Sequence, residues 1–187
     1  MSQLIERTEK MSQELMRAIS GIDPDQFEYL ISSIERARKI ALFAGGREGL
    51  MIKALAMRLF HLGYDVSVVG DMTAPFLTKG DVLILGVGPG YVSTVDALRT
   101  VAQRDGAQVV CITAQPNGKT SAAADGIVVI PSQTMADDQG EKAVSILPMG
   151  SLFEFALFAL GELVVLELLH RSGKTFGEAR DRHTNLE

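Results

Sequence analysis

The segment Val82–Thr94 reads VLILGVGPGYVST, an apolar run that breaks into glycines and then into a helical pattern. A strand, a glycine-rich loop and a helix in that order present backbone N–H groups at the end of the strand, the usual way a chain cradles an anion. Working outward, KIALFA begins at Lys39 and a helical pattern runs from Glu48 to Leu62. VSVV follows at Val66, a helix runs through Arg104, and VVCIT and IVVI begin at Val109 and Ile127. Short apolar runs alternating with helices predict a five-stranded parallel sheet in an α/β, doubly wound, three-layer αβα sandwich of flavodoxin-like type. Ligands of such sheets bind at the C-terminal ends of the strands. Both glycine-rich segments, AGGREG (Ala44–Gly49) and GVGPGY (Gly86–Tyr91), fall there.

Before the first strand, Leu4 to Ile19 has apolar residues at helical spacing. Asp23-Pro24 then supplies a cap and a first-turn proline for a second helix through Ala37. A single domain over residues 1–187 is expected, with an N-terminal helical extension to about residue 37 and a C-terminal helix and tail from about residue 151. The run Ser151–Arg171 is apolar enough to raise a transmembrane question. Glu154, Glu162 and Glu167 make lipid costly for it, so a buried helix is expected. Its apolar residues cover most of its circumference, which points to an oligomer interface. The polar stretch Pro131–Leu147 is either a lid or an inert loop.

A net charge of −5 without a basic and aromatic cluster argues against a nucleic-acid surface. The single cysteine, Cys111, lies inside an apolar run and reads as a small buried thiol. Glu, Arg and Lys in the first residues break any secretory apolar stretch, so a cytoplasmic protein with no membrane association is expected.

Four stretches carry a resemblance. They are Ala56-Met57-Arg58-Leu59-Phe60-His61-Leu62-Gly63, Val69-Gly70-Asp71-Met72-Thr73-Ala74-Pro75, Pro148-Met149-Gly150-Ser151-Leu152-Phe153-Glu154, and the ending Arg182-His183-Thr184-Asn185-Leu186-Glu187. In order and spacing the chain resembles the 6-phospho-3-hexuloisomerases of the sugar isomerase (SIS) domain superfamily. The resemblance implies a tetramer that converts a 3-ketohexose 6-phosphate into the 2-ketose isomer, with no metal or organic cofactor.

That chemistry needs a base to move a proton between adjacent carbons, and polar groups to serve the oxygens. Glu154 is the candidate base, matching the family's P-x-G-T-x-F-E glutamate, with Ser151 where threonine is usual. The same Ser151-x-x-Glu154 spacing is also a capping box. His61 matches the family's histidine and is a candidate for proton transfer or ring opening. On its own it could simply cap carbonyls near the end of a helix. The tail signature implies that His183 reaches an active site, in a neighbouring subunit. Arg47, after two glycines, is placed to hold an anionic oxygen.

The loops depart from the resemblance. The family's G-x-G-R-S-G is here Gly45-Gly46-Arg47-Glu48-Gly49, and the hydroxyls of its S-G-S-G-x-T fall on Val87, Pro89 and Val92. Gly46, Gly88 and Gly90 remain as backbone contacts to substrate, with Ser93, Thr94 and Ser151 as nearby hydroxyls. Glu48, an ionised carboxylate at a helix N-terminus, is expected to take the place of an anion and repel a phosphate. The substrate expected is therefore a sugar or other hydroxy-carbonyl compound that is not a usual sugar phosphate. A non-catalytic sugar-binding or regulatory module is the alternative. A dinucleotide fold is disfavoured: the strand after GVGPGY ends without a carboxylate, and Glu48 would face a pyrophosphate.

Overall fold

The computed structural model describes residues 2–186; Met1 and Glu187, the ends of the N-terminal extension and of the tail signature, lie outside the described residues. Five strands form one sheet: β1 (Ile40–Ala44), β2 (Val66–Val68), β3 (Val82–Gly86), β4 (Gln108–Thr113) and β5 (Gly126–Val129). Neighbours are all parallel, in the order β2-β1-β3-β4-β5. This is the expected flavodoxin-like order. From β1 the chain goes to β2 on one side and returns through β3 on the other, so the topological switch point lies between β1 and β3. Ala44 and Gly86 are paired there, which sets the two glycine-rich loops side by side.

The helices are α1 (Gln3–Ser20), α2 (Pro24–Arg36), α3 (Gly46–Leu62), α4 (Ser93–Arg104), α5 (Lys119–Ala122), α6 (Ser151–Ser172) and α7 (Phe176–Arg180). Helix α3 begins two residues before the expected Glu48, because the extended Gly45 caps it without a side chain. Helices α5 and α7 are too short to show a hydrophobic period, although Thr175 and Glu178 form a complete capping box at the start of α7.

The strands are predominantly apolar because both faces of the sheet are covered. Ile40, Leu42, Ile84, Val110 and Ile112 face a core shared with α1, α2, α3 and α6. Ala41, Leu83, Leu85, Val109 and Cys111 face a smaller core under α4. Cys111 is fully buried there, and burial pushes its thiol up to about 12, as an unreactive structural thiol requires.

Helix α6 lies along α3 and buries Phe153, Ala156, Leu157, Leu160 and Val164 in the larger core. Its outer side leaves Phe155, Phe158, Leu163 and Leu166 between 39% and 53% exposed. Among the described residues no helix is long and apolar enough to cross a membrane. The stretch Pro131–Leu147 is held by a polar group of its own and by one from α1. Gln133 accepts from the Val144 and Ser145 N–H groups, and Glu14 of α1 accepts from the Ile146 N–H.

Candidate active site

Arg47 and Glu48 are the second and third residues of α3, and they point in different directions. The guanidinium of Arg47 donates to the Ser151 hydroxyl at 3.0 Å and lies 2.9 Å from Oε2 of Glu154. Both partners belong to the first turn of α6. The side chain of Glu154 is 12% exposed, and its Oε2 is buried without a hydrogen-bond donor among the described residues. The ion pair is therefore close but misaligned for a hydrogen bond. Burial holds the Glu154 carboxyl above its ordinary range, and the charge of Arg47 works against that shift.

The turn before α6 sets this geometry. Met149 and Gly150 are both left-handed, at φ 57° and 71°. A Cβ on Gly150 would lie 2.8 Å from the Met135 backbone nitrogen, so the turn closes on the preceding loop only with glycine there. The cap of α6 is Gly150 with no side-chain hydrogen bond, so the capping-box alternative for Ser151 and Glu154 is not what the structure contains. Ser151 faces Arg47 instead.

Glu48 turns inward. Its two carboxylate oxygens lie 3.2 and 3.1 Å from the Gly88 nitrogen, and both accept from that N–H. A Cβ on Gly88 would come within 2.7 Å of Glu48 Oε1 and 2.8 Å of the Phe153 ring, so only glycine fits between them. Burial is the largest influence on Glu48 and pushes it up to about 7, against the Gly88 hydrogen bond and with the charge of Glu154. Desolvation thus opposes the ionised form expected at this helix N-terminus.

The loop after β3 corrects an expectation. The Val87 N–H goes to the Ile112 carbonyl and the Gly90 N–H to the Val87 carbonyl, each at 2.9 Å. Pro89 has no N–H, and that of Gly88 is held by Glu48. Gly90 therefore offers no donor to a ligand. Its carbonyl instead accepts from the Thr120 and Ser121 N–H groups. Ser93 and Thr94 are exposed on the first turn of α4, and Gly46 is exposed at the start of α3.

The two histidines stand elsewhere. His61 is 7% exposed near the C-terminal end of α3, where its ring centroid is 5.2 Å from that of His183. Arg58 Nη1 approaches His61 Nδ1 at 3.4 Å. The carbonyls at this helix end are taken by the tail: Lys174 donates to Leu62 O and Arg182 to Phe60 O. Two of the carbonyls that His61 was placed to cap are thus held by the tail. Beside the pair is a cavity of about 520 Å³ lined also by Arg58, Glu162 and Arg180. His61 lies fourteen positions beyond Arg47 on the helix, about 20 Å along the axis. One chain thus brings Arg47, Glu48, Ser151 and Glu154 together, and separately His61 and His183, but does not join the two groups. Sequence reading did not single out Phe153, the wall against Gly88, or Arg58 and Glu162 beside the histidines. Arg58 lies within the AMRLFHLG run, the one signal that could have marked it.

Residues 33–159 match the model of the SIS domain. The 3-hexulose-6-phosphate isomerase of Mycobacterium gastri is 33% identical over 93% of this chain and 86% of its own length. That of Bacillus subtilis (strain 168) is 31% identical over 93% and 94%. Among solved structures, a hypothetical protein of Methanococcus jannaschii, whose structure was taken to infer a molecular function of 3-hexulose-6-phosphate isomerase, superposes with a TM-score of 0.84. That match has 28% identity and covers 97% of this chain and 99% of the other. With its switch-point carboxylates on a flavodoxin-like sheet, the chain belongs to the SIS domain family and, within it, to the 3-hexulose-6-phosphate isomerase family.

Proposed function

We propose that the protein is a sugar isomerase that moves a ketose carbonyl to the adjacent carbon through an enediolate, with Glu154 as the carbon base. The observation that carries this reading is the buried Glu154 Oε2, without a hydrogen-bond donor among the described residues, beside the Arg47 guanidinium at the switch point. A carboxylate left short of donors keeps its basicity, and a cation next to it can receive the charge that the base generates.

In this mechanism Glu154 removes the proton from the carbon next to the carbonyl, and the C–H electron pair becomes the enediolate double bond. The carbonyl oxygen takes the negative charge and is held by Arg47, with Ser151 fixing the guanidinium. A proton passes between the two oxygens, and Glu154 returns its proton to the neighbouring carbon. His61 and His183 serve the oxygens from a neighbouring copy, since within one chain they lie at the other end of α3. The exposed apolar side of α6 supports assembly into a tetramer. The acidic, basic-patch-free composition and the buried lone thiol support a cytoplasmic setting, apart from nucleic acid and membrane.

Solvent-deuterium exchange by NMR, across phosphorylated and unphosphorylated ketoses, tests the reading. Label incorporated next to the carbonyl, and lost in Glu154→Gln, is the expected result. A protein that exchanges none of these compounds is not an isomerase of this kind. A non-catalytic sugar-binding role has no separate observation in its favour, and the full-length relatives named above are isomerases.

A further inference from the structure

We infer that Glu48 is a specificity residue that closes the switch-point cradle to phosphate and receives a hydroxyl-terminated, unphosphorylated end of the substrate. A phosphate at this point of a parallel sheet is bound by backbone N–H groups of the loop and by the adjoining helix N-terminus. Here the glycine-rich stretch Val87–Gly90 has no free donor to give. From Val87 to Gly90, two N–H groups are tied to backbone carbonyls, one residue is proline, and the remaining N–H is held by Glu48.

The seat is also physically occupied. Glu48 Oε1 stands where a side chain at Gly88 would be, and Phe153 walls the opposite side. Arg47, the cation beside Glu48 in sequence, is paired with Glu154. A dianion entering the cradle would have to displace the Glu48 carboxylate from Gly88, recover from Val87–Gly90 a single N–H, and sit against Glu154. A sugar hydroxyl meets the opposite situation. It donates to the carboxylate, whose oxygens keep accepting capacity beyond the one shared N–H, and brings no charge.

The assignment rests on the isomerase reading for the word substrate, while the exclusion of phosphate stands on the geometry alone. Its test is therefore chosen to separate the two. Titration calorimetry with fructose, fructose 6-phosphate and sulfate is run on the wild-type chain and on Glu48→Ser, with Glu48→Gln as the size-matched variant should serine disturb the fold. The expected result is millimolar or weaker binding of both anions by the wild type. In Glu48→Ser the anion affinity rises by about 10- to 100-fold, the worth of one charge-assisted hydrogen bond regained. Glu48→Gln, which keeps the bulk but removes the charge, gives a smaller gain.

Micromolar binding of fructose 6-phosphate by the wild type, or affinities within threefold in both variants, overturns the inference. Deuterium exchange into fructose 6-phosphate by the wild type also overturns it and leaves the isomerase reading standing. Exchange into neither ketose, with a gain of anion affinity in Glu48→Ser, sinks the isomerase reading and keeps Glu48 as the residue that excludes phosphate.

Discussion

Helices α3 and α6 run side by side, and their two ends are chemically unlike. At the N-terminal end, Arg47, Glu48, Ser151 and Glu154 meet over the C-terminal edge of β1 and β3, with Glu48 on the Gly88 N–H and the buried Glu154 Oε2 without a hydrogen bond. At the C-terminal end, His61 and His183 meet under a tail whose Lys174 and Arg182 satisfy the last carbonyls of α3. At the first end a buried carboxylate oxygen of Glu154 faces the Arg47 guanidinium without a hydrogen bond, whereas at the second the tail takes carbonyls of α3. In the proposed mechanism the carbon chemistry belongs to the first end. The histidines can then act only across a contact between copies, because about 20 Å of helix separates the ends.

The largest effect should come from the first end. Glu154→Gln is expected to lower deuterium exchange by about 10³-fold, within the range of a lost general base, while the melting temperature changes little. Exchange at the wild-type rate would move the base to another residue. The second end supplies the sharper version. Glu154→Gln and His61→Ala should each be inactive alone, yet mixing them after reversible dissociation should restore part of the exchange, since a mixed assembly contains some intact shared sites. Failure of the mixture, with wild-type-like assembly of both variants, would place His61 outside the site.

A third effect is on stability and pH. Burial raises Glu48 from 4.5 to about 7, so the folded state binds its proton more tightly than the unfolded state does. The stability that this group contributes is fully present below about pH 4.5 and is lost as pH rises through 7. Glu48→Gln should flatten that slope and be more stable than wild type at pH 8, relative to pH 4.5, by up to about 3 kcal/mol. Urea denaturation at the two pH values measures it, and parallel slopes would mean that the carboxylate is solvated.

The outer side of α6 tests the premise that copies join. Phe158→Asp, at a position 44% exposed, should leave the chain folded but shift sedimentation toward monomer, and exchange should fall with assembly. The smallest expected effect is at Met149, a non-glycine residue at φ 57° in the turn that aims α6. Met149→Gly relieves a left-handed conformation and should raise stability by about 1 kcal/mol, less the entropy that glycine adds to the unfolded chain.

Much of the first end was legible in sequence because it is local. Arg47 and Glu48 follow a strand and two glycines, and Ser151 and Glu154 open a long apolar helix, so the parallel sheet alone puts them near its C-terminal edge. The direction of each side chain was not legible. Neighbours along the chain, Arg47 and Glu48 diverge by about 100° around a helix, one toward Glu154 and the other toward Gly88. Gly90 was expected to donate to a ligand, and only the folded loop shows its N–H already bonded to Val87.

Sequence by itself determined the sheet, its parallel strands, the two glycine-rich loops at the switch point and the apolar final helix, because hydrophobic period and glycine placement act over a few residues. Tertiary structure alone decided three other matters. Burial beside Gly88 raised Glu48 instead of leaving it a simple helix-terminal anion, the tail took over the end of α3, and the two histidines were set apart from Glu154. Each depends on contacts between segments distant in the chain, where desolvation and competing hydrogen-bond partners outweigh local preference.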